Sequence, residues 1–356
     1  MGGNELFELM AEGGHEQVVF WSEPRLGYRG IIALHDTTLG PALGGTRFWN
    51  YEHEADAVLD ALRLARGMTY KAAISGLALG GGKSVIWGDN RVADREMIFR
   101  AHGRAVQSLG GRYVTAEDVG TSPADMAYIA LETDHVVGLE GTSGDPSPVT
   151  AYGVYRGIKA CARARYGDDS LEGRHVAVQG LGSVGYHLCE DLAREGARLT
   201  VTDIDAGRIE RVVDEFDAEA VVPDAIIDVD ADIFAPCALG AVINDETIPR
   251  LKCDIVAGSA NNQLARTNVH GPKLHEAGIL YAPDYVINAG GVINVYGEIH
   301  EWTPEQSRRK AGEIYDSLLK IFAVADAEGI APDAAANRVA EQRIQDARHL
   351  QRTYLP

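Results

Sequence analysis

The chain has 356 residues, of which 46% are hydrophobic and 24% charged, and it carries a net charge of −19. That length and balance suit two globular domains, each able to bury its own core. The acidity counts against a nucleic-acid binder, which needs a basic face, and apolar runs break well short of the roughly 18 residues of a membrane helix.

The N-terminus, Met1-Gly2-Gly3-Asn4-Glu5, lacks a basic stretch followed by an apolar core, so a cytoplasmic protein is expected. Residues 4–13 read as a short helix with Asn4 as N-cap. Short β-type runs follow at Gln17–Ser22 and Tyr28–His35, and the glycine-rich segment from Thr38 to Arg47 reads as irregular. From Glu54 to about Lys71, apolar residues recur at helical spacing (Ala57, Ala61, Leu62, Ala65, Met68), which predicts a half-buried helix. Val85–Trp87 reads as a strand, Arg95–Leu109 as a helix and Tyr113–Ala116 as a strand ending at Glu117-Asp118. Pro123 opens a further helix in the first-turn position proline prefers.

The segment Leu79-Gly80-Gly81-Gly82-Lys83-Ser84 stands out. Three glycines cost backbone entropy on ordering, which makes sense where the backbone passes very close to a ligand or another segment. A lysine held in such a crowded, partly desolvated place has a lowered pKa, which suits a catalytic base. The phosphate-loop pattern G-x-x-x-x-G-K-[ST] fails by register, because Leu77 stands where its first glycine is required. Lys71 lies twelve residues earlier in a chain whose positive charge is mostly arginine.

Between Gly138 and Pro148 the composition turns to Gly, Ser, Asp and Pro, which reads as a linker, and a helix of about fifteen residues is expected from Val149. The β run His175–Val178 enters Gly180-Leu181-Gly182-Ser183-Val184-Gly185, then helix-type sequence, then a strand ending at Asp203, 23 residues past the first glycine. This strand–GxGxxG–helix–strand–acid unit is the dinucleotide fingerprint. Gly180 serves the tight turn, Gly182 the approach of backbone N–H groups to a pyrophosphate, and Gly185 the packing of helix on strand. Asp203 would accept hydrogen bonds from the adenosine ribose and repel a 2′-phosphate, which favours NAD. Further β runs at Asp232–Pro236, Asp254–Ser259 and Ile279–Pro283 predict a parallel doubly wound sheet. The loops after them, Cys237-Ala238-Leu239-Gly240, Ala260-Asn261-Asn262-Gln263 and Asn288-Ala289-Gly290-Gly291, are placed to face the cofactor. Two long helices, about 304–328 and 332–350, close the chain. Cys161, Cys189, Cys237 and Cys253 show no metal or disulfide spacing, so free thiols and no metal are expected.

These residues carry a resemblance over nearly the whole length. The segments His35–Arg47, Leu79–Lys83, Thr115–Thr121, Pro146–Val154, Ala257–Gln263 and Asp284–Asn294 resemble the glutamate/leucine/phenylalanine/valine dehydrogenase family, and within it the leucine dehydrogenases more than the phenylalanine dehydrogenases. The resemblance implies reversible, NAD-dependent oxidative deamination of an L-amino acid to a 2-oxo acid and ammonium. It implies an α/β architecture of two domains with a cleft between them: residues 1–140 joined by a C-terminal helix of about 331–356, and a Rossmann domain over 141–330. By resemblance, Lys83 activates the attacking water and Asp118 moves protons to and from the substrate nitrogen. Lys71 binds the substrate carboxylate, helped by backbone at Gly44 and Gly45. Thr150, Asn262 and Asn288 contact the nicotinamide and substrate, and the loop at Cys237 and Ala238 lies beside the cofactor with Ser183 and Val184. Homo-oligomers, octamers among the leucine dehydrogenases, are a further implication.

The residues expected around the substrate side chain, Leu43, Ala116, Val292 and Val295, are all apolar. A buried γ-carboxylate would be costly there, so L-leucine, L-valine and L-isoleucine are favoured, with a phenylalanine-type choice as the alternative. Two other classes stay open: a non-catalytic dinucleotide or amino-acid sensor, and a 2-hydroxy-acid dehydrogenase. The second usually needs a His and an Arg, and no suitably placed pair is seen. Relative to leucine dehydrogenases the linker at Glu140-Gly141-Thr142-Ser143 looks shortened and the tail after Arg348 short.

Overall fold

The computed structural model describes residues 5–139, 145–238 and 240–351; the linker segment at Glu140–Ser143 lies outside them. The chain divides into two compact units, one of Met1–Gly144, Glu298–His300 and Ala340–Pro356, the other of Asp145–Gly297 and Glu301–Val339.

In the first unit the elements run α1 (Glu5–Gly13), β1 (Gln17–Glu23), β2 (Tyr28–Asp36), β3 (Ala42–Trp49), α2 (Glu54–Ile74), β4 (Gly80–Trp87), α3 (Glu96–Gln107), β5 (Tyr113–Glu117) and α4 (Pro123–Ala130). The five strands form one sheet in the order β1-β2-β4-β3-β5, with β3, β4 and β5 parallel and β2 antiparallel to β4. Two expectations are corrected here. The segment 38–47 is not irregular throughout, because Ala42–Trp49 is an inner strand, and the three glycines belong to the central strand β4 and not to a loop before it. The reason is close backbone approach. A β-carbon on Gly44 would lie 1.7 Å from the Gly82 carbonyl oxygen, and one on Gly81 would lie 2.1 Å from the Thr69 nitrogen. Glycine is usually weak in strands, but here it lets strand meet strand and strand meet helix.

Side chains alternate across a strand. One face of this sheet packs Ile31, Ala33 and Val85 against Ala57, Ala61 and Ala65 of α2. The other packs Ile32, Leu34 and Tyr113 against Ala105 and Val106 of α3. Pro123 opens α4 inside a capping box of Ser122 and Asp125, which satisfies two of its unpaired N–H groups. The C-terminus of α2 is closed by Arg343, whose guanidinium donates to the carbonyls of Ala73 (2.6 Å) and Leu77 (2.9 Å).

The second unit contains α5 (Ser147–Tyr166), β6 (His175–Gln179), α6 (Ser183–Arg194), β7 (Arg198–Thr202), α7 (Ala206–Phe216), β8 (Glu219–Ala220), β9 (Ile233–Pro236), β10 (Ile255–Val256), α8 (Thr267–Glu276), β11 (Leu280–Tyr281), α9 (Asp284–Ile287), all but the end of α10 (Gly290–Ile299), α11 (Pro304–Gly312), α12 (Ile314–Glu328) and the start of α13 (Pro332–Gln351). Its six strands are ordered β11-β10-β9-β6-β7-β8 and every pairing is parallel, as strands alternating with helices predict. The helix expected over 304–328 is broken at Glu313, directly after Gly312, a residue with poor helix propensity.

Candidate active site

Lys83 sits in the middle of the central strand, on the face covered by α2, and its side chain is only 6% exposed. Strand register puts Leu43, Gly45 and Arg47 of β3 and Ala116 of β5 on the same face. The chain then leaves β5 at Glu117, and Asp118 turns back toward Lys83. Its carboxylate Oδ2 lies 2.9 Å from Lys83 Nζ. Gly45 makes room for this turn, since a β-carbon there would lie 2.3 Å from the Glu117 carbonyl and 2.8 Å from Asp118 Cβ. Thr121 pins the turn: its hydroxyl donates to the carbonyls of Asp118 (2.8 Å) and Thr46 (3.1 Å) and accepts from the Asp118 N–H at 2.9 Å.

Burial pushes the pKa of Lys83 down, and the neighbouring Asp118 offsets this only in part. For Asp118, burial pushes upward, but the charges and hydrogen bonds of Lys83 and Arg47 outweigh it and hold the carboxyl below its ordinary range. The pair is therefore a lysine that gives up its proton readily beside a carboxylate that stays ionised. Lys71 is half-buried in the last turn of α2, where the helix dipole favours its positive charge.

Several participants escaped the sequence reading. Arg47 was visible only as the end of a glycine-rich segment, yet its Nε donates to Asp118 Oδ2 at 2.8 Å and its Nη1 to Asp60 Oδ2 at 2.6 Å. On the opposite face, Thr46, Ser84, Thr115 and His102 form a buried hydrogen-bonded knot. Thr46 Oγ1 lies 2.7 Å from Ser84 Oγ, 2.6 Å from Thr115 Oγ1 and 3.0 Å from His102 Nε2, and the Tyr28 hydroxyl reaches His102 Nδ1 at 2.7 Å. Burial holds the His102 pKa down to about 3, so the knot is uncharged. The signal for it was present as polar residues at inward positions of otherwise apolar strands.

In the second unit the three fingerprint glycines stand in three different environments. Gly180 has φ +99°, and a β-carbon on it would lie within 3 Å of Ala238. One on Gly185 would lie 2.1 Å from the Gly180 carbonyl oxygen, whereas at Gly182 the space is open. Gly182 is also the N-cap of α6, and no side chain caps that end. An open glycine at an uncapped helix N-terminus fits an incoming pyrophosphate. Ser183 Oγ donates to Asp145 at 3.0 Å, and Val184 follows it in the first turn of α6.

Asp203 faces inward, 7% exposed, and accepts from the Leu181 N–H (2.6 Å) and the Asp205 N–H (2.9 Å). It thus braces the glycine loop. Beside it, Ile204 is 96% exposed. Cys237 donates its N–H to the Gln179 carbonyl at 2.7 Å, at the carboxyl end of β6. Thr150 packs on Gly290, where a β-carbon would lie 2.4 Å from Thr150 Cα. Asn262 adopts φ +51°, and the Asn288 amide donates to Asn261 Oδ1 at 2.8 Å and to the Ser259 carbonyl at 3.2 Å. Val292 is buried and Val295 half-buried on α10. The structure thus gathers Leu43, Gly45, Lys83, Ala116 and Asp118 on one sheet face of the first unit, with Gly44 between Leu43 and Gly45 in β3. The fingerprint residues gather around the carboxyl ends of the second sheet. Among the described residues no cluster of His, Cys, Asp or Glu could hold a metal, the four cysteines are free, and no helix is long and apolar enough to cross a membrane.

A Rossmann sheet with this loop, joined in one chain to a sheet carrying a buried lysine paired with an aspartate, defines an oxidoreductase of the amino-acid dehydrogenase class. The chain belongs to the glutamate/leucine/phenylalanine/valine dehydrogenase family. The model of that family's dimerisation domain matches residues 15–135, and the family's main dehydrogenase model matches residues 141–352. The chain is 56% identical to a leucine dehydrogenase of Geobacillus stearothermophilus over 99% of its own length and 96% of the relative's. It is 50% identical to a valine dehydrogenase of Streptomyces albus over 95% and 94%. The crystal structure of L-tryptophan dehydrogenase from Nostoc punctiforme superposes with a TM-score of 0.89 at 47% identity, covering 96% of this chain and 99% of that one.

Proposed function

We propose that the protein catalyses the reversible oxidative deamination of L-leucine, L-valine and L-isoleucine to the 2-oxo acids and ammonium, with NAD as hydride acceptor. The observation that carries this reading is the pairing of buried Lys83 with half-buried Asp118 on the face that also holds Leu43 and Ala116. The similarity to leucine and valine dehydrogenases supports the choice of substrate.

NAD would supply the acceptor for the hydride of the substrate α-carbon, and the fingerprint residues Gly180, Gly182, Ser183, Val184 and Gly185 would hold its pyrophosphate. Asp203, which braces the loop, would receive the adenosine ribose, and the exposed Ile204 would offer an apolar surface beside it. Thr150, Cys237, Ala238, Asn262 and Asn288 border the nicotinamide end. Lys71 holds the substrate carboxylate, with backbone at Gly44 and Gly45. Neutral Lys83 takes a proton from the water that attacks the substrate iminium, and Asp118 relays protons to the departing nitrogen. Leu43 and Ala116 of the first unit and Val292 and Val295 of the second are the apolar residues we assign to the substrate side chain.

The test is NADH formation with L-leucine, L-valine, L-isoleucine, L-phenylalanine, L-tryptophan, L-glutamate and L-lactate. One methylene in an apolar pocket is worth about 1–3 kcal/mol, so the three branched substrates should differ modestly. A kcat/KM for L-phenylalanine or L-tryptophan at or above that for L-leucine would overturn the choice, and the 47% identity to a tryptophan-acting relative makes those the decisive comparisons. No turnover with any amino acid despite NAD binding would leave the sensor reading. We also propose a cytoplasmic homo-oligomer, an octamer, and a monomeric mass in light scattering would refute the assembly.

A further inference from the structure

Asp118 uses one oxygen twice. Lys83 Nζ (2.9 Å) and Arg47 Nε (2.8 Å) both meet Oδ2, and among the described residues no hydrogen bond engages Oδ1. Arg47 is itself held from behind, its Nη1 donating to Asp60 Oδ2 at 2.6 Å, an oxygen that also accepts from the Tyr51 hydroxyl at 2.6 Å. The result is a row of alternating charges, Lys83⁺, Asp118⁻, Arg47⁺ and Asp60⁻, running from the buried centre of the sheet to the surface of α2. Its outer end opens on a pocket of about 540 Å³ lined by Arg47, Asp60, Trp49 and Val119 among others.

We infer that Arg47, braced by Asp60, is a positioning residue that fixes Asp118 with Oδ2 toward Lys83 and leaves Oδ1 to exchange protons with the substrate nitrogen. This rests on the amino-acid dehydrogenase reading of the same site. The guanidinium is itself anchored at two points, to Asp118 through Nε and to Asp60 through Nη1, so it holds Oδ2 in place more firmly than a flexible ammonium would. The relay also acts on Lys83 through space: the cation at Arg47 disfavours protonation of the lysine and the anion at Asp60 favours it. Arg47 itself stays charged, because Asp118 and Asp60 outweigh the opposing effect of its burial.

The opposite signs give the test. In Arg47→Ala, kcat should fall roughly 10- to 100-fold, and the rising limb of the pH–rate profile should move to higher pH by about half a unit to one unit. In Asp60→Asn the limb should move to lower pH. Guanidinium ion, which the pocket admits, should restore part of the kcat of Arg47→Ala. The pH dependence of Lys83 acetylation by acetic anhydride in the wild type and both variants reads the same shifts without turnover. It therefore stands even if the wild type proves inactive on amino acids, an outcome that removes the functional reading alone. If Arg47→Ala does not fold, Asp60→Asn by itself decides the sign. Shifts in the same direction, or a loss of activity with no shift and no rescue, would make Arg47 a purely structural strut and overturn the inference.

Discussion

Gly45 stands where a β-carbon would lie 2.8 Å from Cβ of Asp118. The missing side chain on β3 is therefore what allows the carboxylate in the turn just after β5 to reach Lys83. Gly45→Ala should displace Asp118 and lower kcat by at least roughly tenfold, with a smaller change in NAD affinity. Steady-state kinetics with a parallel measurement of NAD binding checks this, and an unchanged kcat in a folded variant would show that the turn tolerates the methyl group.

Lys83 and Lys71 should separate in kinetics. Lys83→Ala removes the proton acceptor, so turnover should vanish while NAD still binds. Lys71→Ala removes a carboxylate partner present in ground and transition states alike, so it should mainly raise the KM for the amino acid. Equal rises in KM with kcat intact in both would refute the division of roles. Because burial lowers the Lys83 pKa, the neutral and active form gains population as pH rises. The rising limb of the kcat/KM profile should therefore lie below the ordinary lysine value.

Asp203 holds two loop N–H groups, from Leu181 and Asp205, and it is also the proposed ribose acceptor. Asp203→Ser should erode the preference for NAD over NADP and also lower Tm, since losing such bonds at a buried site costs about 1–3 kcal/mol. Asp203→Asn, which keeps an acceptor oxygen, should lose selectivity with less effect on Tm. A ratio of kcat/KM for the two cofactors that does not change in either variant would move the determinant elsewhere.

His35 supplies an acid-sensitive latch on α1. Its Nε2 donates to the Gly13 carbonyl at 2.8 Å, which leaves Nδ1 to accept from the Thr69 hydroxyl at 2.8 Å. Burial together with His15 lowers the ring's pKa from 6.5 to about 4, so it is neutral at pH 7. Between those values the unfolded chain binds a proton that the folded one does not, so stability falls as pH drops from about 6.5 toward 4. From pH 7 to 5 the loss should be about 2 kcal/mol, read from urea unfolding at each pH. His35→Gln can keep both hydrogen bonds without titrating and should flatten the dependence.

What the sequence determined by itself was local. The fingerprint from Gly180 to Asp203 lies within one strand–turn–helix–strand unit, where each glycine answers to atoms a few residues away or in the adjoining loop, so its spacing announced the fold of the second sheet. Lys83 was conspicuous for the same reason, a cation straight after three glycines. What only the tertiary structure decided was pairing. Segments 42–49 and 80–87 are poor strands by composition and become strands because β2, β4, β3 and β5 bond side by side across long sequence separations. The register of β4, β3 and β5 then brings Lys83, Arg47 and Asp118 to one point, while α2 supplies Asp60 from across the face. Polar knots such as Thr46–Ser84–His102 arise in the same way, since an inward hydroxyl is a defect in one strand and becomes a bond only when its neighbours are in register. The polar residues themselves are visible along the strands, but which of them meet is not, because the energy of such contacts depends on where distant backbones come to lie.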